Sequence, residues 1–193
     1  THREHPLLAA GAQAEGSLEL VELGRSWGFY GSVAANAGAY LSRTPFVAFV
    51  DDDDELAELA GDLIRQRLAE QPEIDVWIPS IRYSDGRVHC SKDCGMFDLA
   101  GGSHTARVER ADPSAHARCM QRRGIVESNV CVPLYRTALF AAVPFTHRVS
   151  VQPGEPSIFM GGKLLPHSVY LVDYHHVRAC SEHGAKVGWL STE

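Results

Sequence analysis

The stretch Phe46-Val47-Ala48-Phe49-Val50-Asp51-Asp52-Asp53-Asp54-Glu55-Leu56-Ala57-Glu58 decides how the rest of the chain is read. Five apolar residues run straight into four aspartates, and an amphipathic helical pattern follows. The apolar part is rich in Val and Phe and lacks polar alternation. It predicts a strand buried on both faces, the habit of a parallel sheet. Successive carboxylates repel one another and are destabilised by any loss of water, so a positive group is expected beside them. Open α/β sheets take their ligands outside the carboxyl ends of the strands. The stretch therefore reads as a divalent metal holding a phosphorylated ligand. The plainer alternative is a solvated helix N-terminus, where acidic side chains are favoured by the helix dipole. Four aspartates directly after a buried strand exceed what that requires.

Working outward, the spacing predicts a helix from Asp54 to Glu70, with Leu56, Leu59, Ala60, Leu63, Ile64 and Leu68 on one face. Gln71-Pro72 closes it, and Ile74 to Ile81 is a second strand, ending at a Tyr83–Arg87 turn whose Asp-Gly pair is a hairpin signal. Upstream, Leu18 to Leu23 is a strand candidate and Ser32 to Leu41 a helix, with small residues that allow close approach to a sheet. Strand, helix, strand, helix, strand over 18–81 is the doubly wound pattern with right-handed crossovers.

Residues 90–127 lose that periodicity and form a loop too long for a plain connector, with a short helix around 113–122. Further on come a strand at Ser128–Val132, a short helix at Tyr135–Ala142, a loop at 151–166 and a strand at Val169–Val172. A tail carries Asp173, His175, His176 and His183. With no repeat and no clean linker, 1–193 is expected to be one domain.

Composition narrows the class. A net charge of -6 argues against nucleic acid as the main partner. Five cysteines, an odd number, argue against a disulfide framework and for a reducing, cytoplasmic setting. No run of 18 apolar residues occurs, so no transmembrane segment is expected. His89, Cys90, Cys94, His116 and Cys119 could form a zinc site of mixed spacing, although buried free cysteines are commoner. No G-x-S-x-G, P-loop or H-E-x-x-H occurs.

Asn36-Ala37-Gly38, followed by the Pro45–Leu56 stretch, resembles the nucleotide-sugar-binding half of family 2 glycosyltransferases of the GT-A fold, with their Asn-x-Gly helix, hydrophobic strand and acidic DxD-type motif. Thr1-His2-Arg3-Glu4 resembles the residues just after that family's first strand. Upstream residues or another chain are expected to supply that strand. The resemblance covers about residues 18–65 well, reaches 150 loosely, and is poor in the tail. It implies a GT-A-like α/β fold, a single mostly parallel Rossmann-like sheet flanked by helices, with a nucleotide-sugar- and metal-binding half at 1–90 and an acceptor-side half at 91–193.

The resemblance also implies Mn²⁺ or Mg²⁺ as cofactor and a nucleoside diphosphate sugar, a UDP-sugar foremost, as donor. Asp51 and Asp52 fall on the ribose side, Asp53 and again Asp51 at the metal, and Asn36 in the cofactor-binding half. His175 or His176 matches the late histidine that such enzymes use as a further ligand. Glu155 stands nearest the family's catalytic Glu-Asp pair, with Pro156 in place of the aspartate. It is the candidate general base for an acceptor hydroxyl in an inverting transfer, with Asp98 and Glu127 as alternatives. Arg82, Arg107 and Arg110 could fork onto phosphates, and Trp27 and Tyr30 could stack on base or sugar. Also open are a nucleotidyltransferase, a non-catalytic nucleotide-sugar-binding module and a zinc-organised interaction domain. A homo-oligomer is compatible with all of these readings.

Overall fold

The computed structural model describes residues 21–24, 32–50, 55–82, 86, 88–90, 97–99, 105–106, 108–111, 133–145, 157–160, 163–166 and 172–190. In chain order they contain helix α1 (Ser32–Leu41), strand β1 (Phe46–Ala48), helix α2 (Ala60–Glu70) and strands β2 (Val76–Arg82), β3 (Val88–Cys90), β4 (Phe97–Leu99), β5 (Thr105–Ala106) and β6 (Val108–Ala111). Then follow β7 (Leu134–Arg136), a 3₁₀ turn (Thr137–Ala141), β8 (Ser157–Met160), β9 (Lys163–Pro166), helix α3 (Val172–Glu182) and β10 (Val187–Leu190).

The main sheet has the order β1-β7-β2-β10-β5, with β3 paired to one end of β2. Side chains alternate across it, as the two-residue period of a strand requires. Val47, Val76, Ile78, Tyr135, Val187 and Trp189 face one way. They pack with Ala35 and Ala39 of α1, Val177 and Cys180 of α3, and Leu139 and Phe140 of the 3₁₀ turn. Phe46, Trp77, Leu134 and Leu190 face the other way, onto Leu63, Ile64 and Leu68 of α2. The sheet is thus a middle layer between helices. The antiparallel pair β4·β6, with β5 between them in the chain, and the hairpin β8·β9 pair separately from it.

The mostly parallel, Rossmann-like sheet expected from the sequence is not what forms. Among the described residues only β2 and β10 pair in parallel, with Val187 opposite Val76 and Leu190 opposite Pro79. Contacts of β7 with β1 and with β2, of β10 with β5, and of β2 with β3 are antiparallel. The reason is physical. Burial on both faces follows from having helices above and below, as in β2 and β10, and a mixed sheet between helix layers meets that condition as well as a parallel one. Strand β1 itself ends the described strand order, with Phe46 and Val47 half-buried and Ala48 exposed rather than buried on both faces. The crossover through α2 does return the chain in its original direction, since β1 and β2 are both antiparallel to β7. It skips one position, and β7 fills the gap.

Two local devices fix the frame. Arg136, at the end of β7, donates from Nε to Asp75 at 2.6 Å and from Nη2 to the carbonyls of Pro72 at 2.6 Å and Ile74 at 3.1 Å. The other Asp75 oxygen accepts the Lys186 N–H at 3.0 Å. The starts of β2 and β10 and the end of β7 are thereby joined at one edge of the sheet. At the end of α3, Gly184 has φ 96°, the N–H of Ala185 reaches the Cys180 carbonyl at 3.0 Å, and that of Gly184 reaches Ser181 at 2.9 Å. This is a Schellman cap, which needs a left-handed residue that glycine provides without strain. It turns the chain directly into β10.

Other expectations shift too. α1 has the expected bounds, but α2 starts at Ala60, leaving Leu56 and Leu59 62% and 70% exposed. The helix expected at 135–142 is β7 plus the 3₁₀ turn, the loop expected at 151–166 contains the β8·β9 hairpin, and the tail contains α3 and β10. Strand β2 folds back on β3, as the Asp-Gly turn predicted. No helix among the described residues is long and apolar enough to cross a membrane.

Candidate functional site

Strands β1, β2 and β10 run in one direction, so their carboxyl ends share one edge of the sheet, opposite the Asp75–Arg136 lock. At this edge the chain leaves β1 through Phe49 and Val50 and enters the acidic run. Phe49 is held by rings, with centroids 5.4 Å from Phe145, 5.7 Å from Phe140 and 6.4 Å from Tyr135. The first two pairs are edge-to-face, the arrangement the ring quadrupole favours. Val50 is 44% exposed, so the packed part of the stretch ends at Phe49.

Phe145 is fixed in turn by Asn36. The Asn36 amide Nδ2 donates to the Phe145 carbonyl at 2.9 Å, and its Oδ1 accepts the Phe145 N–H at 2.8 Å. One side chain of α1 thus satisfies both backbone groups of a residue far along the chain, as a neighbouring strand would. Asn36, expected on the cofactor side, has both polar atoms of its amide engaged in this clamp.

His176 lies beneath the same rings. It is 4% exposed, with its ring centroid 4.1 Å from that of Phe145, 4.8 Å from Tyr135 and 5.0 Å from Phe140. Its Nε2 is 2.7 Å from the Val143 carbonyl. A carbonyl only accepts, so Nε2 carries the proton, and the Cys180 sulfur lies beside the ring, 4.0 Å from Nδ1 and 3.9 Å from Nε2. Burial lowers the pKa of His176 below its ordinary 6.5, against the opposing effect of the Val143 bond. Here His176 is a core side chain, and its Nε2 is not offered to a cation. Burial, reinforced by the charge of Asp75, pushes the Cys180 thiol up to about 12, so it stays protonated and is a poor nucleophile.

Among the remaining expected site residues, Arg82 ends β2 and is exposed, on the same edge as the exit from β1. Asp98 lies in β4 with Arg110 opposite it in β6, away from the main sheet's pairing. His175 lies in α3. Asp51, Asp52, Asp53, Arg107, Glu127 and Glu155 lie outside the described residues, as do Trp27 and Tyr30. Of the zinc candidates, His89 and Cys90 lie in β3, and Cys94, His116 and Cys119 are outside the described residues. Among the described residues, no three His, Cys, Asp or Glu side chains come together as a metal site.

Sequence reasoning missed the ring cluster. His176, Val177 and Cys180 have the spacing of one helix face, and that pattern could have revealed α3 had the adjacent histidines not drawn the reading towards ligation. The chain matches no protein-family model, no curated protein and no solved structure.

Proposed function

We propose that the protein is a metal-dependent glycosyltransferase, moving a sugar from a nucleoside diphosphate donor to an acceptor hydroxyl with inversion. The observation that carries this reading is the exit from β1. Strand β1, with Phe49 anchored just after it, ends on the edge that also receives the carboxyl ends of β2 and β10, and four aspartates follow in the sequence after Val50. Arg82 ends its strand on that edge, a cation suited to phosphate.

The donor set suits the cofactor, since successive carboxylates offer the hard oxygens that Mg²⁺ and Mn²⁺ prefer. Asp53 and Asp51 would hold the cation, with His175 as the candidate imidazole ligand. When bound, the cation supplies positive charge to the diphosphate. Asp51 and Asp52 orient the ribose, and Arg82 and Arg107 neutralise phosphate oxygens. Glu155, with Asp98 as the alternative, takes the proton from the acceptor hydroxyl as that oxygen attacks the anomeric carbon; the bond from that carbon to the phosphate oxygen breaks, and the nucleoside diphosphate leaves with the electron pair.

The test is a screen of nucleoside diphosphate sugars with Mn²⁺-loaded protein, read as cleavage of the sugar–phosphate bond. Turnover that Asp53→Ala abolishes supports the proposal, and turnover at full rate in that variant contradicts it. Use of a nucleoside triphosphate, with release of pyrophosphate, would instead make the protein a nucleotidyltransferase.

A further inference from the structure

We draw no further inference here: the strongest candidate, the buried side-chain cluster of His176 and Cys180 between α3 and the rings of Tyr135 and Phe145, would act only through titration of a ring next to His175, already offered to the proposed cation, and nothing in the structure shows a ligand reaching it.

Discussion

His176 shows how one residue ties stability to pH. In the fold its pKa lies below the ordinary 6.5 because burial disfavours the charged ring. In the unfolded chain the ring returns to its ordinary value. Below about pH 6.5 the unfolded state therefore takes up the proton first, and acidification draws the equilibrium towards it. The loss grows as pH falls to the depressed folded-state value and then levels off; above 6.5 this contribution vanishes. Denaturant unfolding of wild type and His176→Gln between pH 5 and 8 checks this. The variant is expected to lose the part of the acid sensitivity that this ring contributes, with other histidines titrating as before. An unchanged difference between the two proteins across that range would mean that the ring is not held neutral.

At the scale of elements, two junctions carry most of the organisation. Asn36 joins α1 to the segment after the 3₁₀ turn through two hydrogen bonds to one residue. Asn36→Ala leaves both backbone groups of Phe145 without that partner and is expected to cost about 2–3 kcal/mol. Equilibrium unfolding measures it, and a cost under about 0.5 kcal/mol would show that water replaces the amide freely. The α3–β10 junction depends on Gly184. Replacing it with Ala forces a Cβ into the left-handed region, at roughly 1–2 kcal/mol, readable as a lower unfolding midpoint. The same change at Gly188 has a different cause. A Cβ there would meet Ile74 Cγ2 and Trp77 Cζ3 at 3.2 Å each, within packed side chains.

How far the elements could be read from the sequence follows from their length and surroundings. α1 was legible because a ten-residue run of small and apolar residues shows its period. The stripe of α2 was legible, but its start was not. Leu56 and Leu59 continue the spacing, yet they stay exposed, and Leu59 caps the helix with no side-chain hydrogen bond. β7 has three residues and β10 four, too few to show alternation, and each takes its place from its neighbours rather than from its own composition. Strand direction was not legible for the same reason. An apolar run records that a segment packs and is silent about which strand lies alongside; in β1 even the packing is partial, with Phe46 and Val47 half-buried and Ala48 exposed. The acidic run and Arg82 could be picked out in advance as candidates; Arg82 is exposed at the end of β2, and the aspartates lie outside the described residues. The engagement of Asn36 and His176 by backbone carbonyls and N–H groups could not, because their partners are distant in sequence.

At the scale of the whole molecule, the two ends of the sheet differ. At the amino ends of β2 and β10, Asp75 is answered by Arg136 and the Lys186 N–H, and the guanidinium also lies 4.7 Å from the centroid of the Phe46 ring. Charge there is balanced within the fold. At the opposite end, the chain leaves β1 into consecutive aspartates, within a protein of net charge -6. The proposal is that a cation and a diphosphate balance them. The most direct test is calorimetric titration of uridine diphosphate into the protein, with and without Mn²⁺, for wild type and Asp53→Ala. The account predicts saturable binding by wild type that requires Mn²⁺ and weakens at least tenfold in the variant, a difference of about 1.4 kcal/mol or more. Binding that is indifferent to Mn²⁺, or equal in the two proteins, would contradict it.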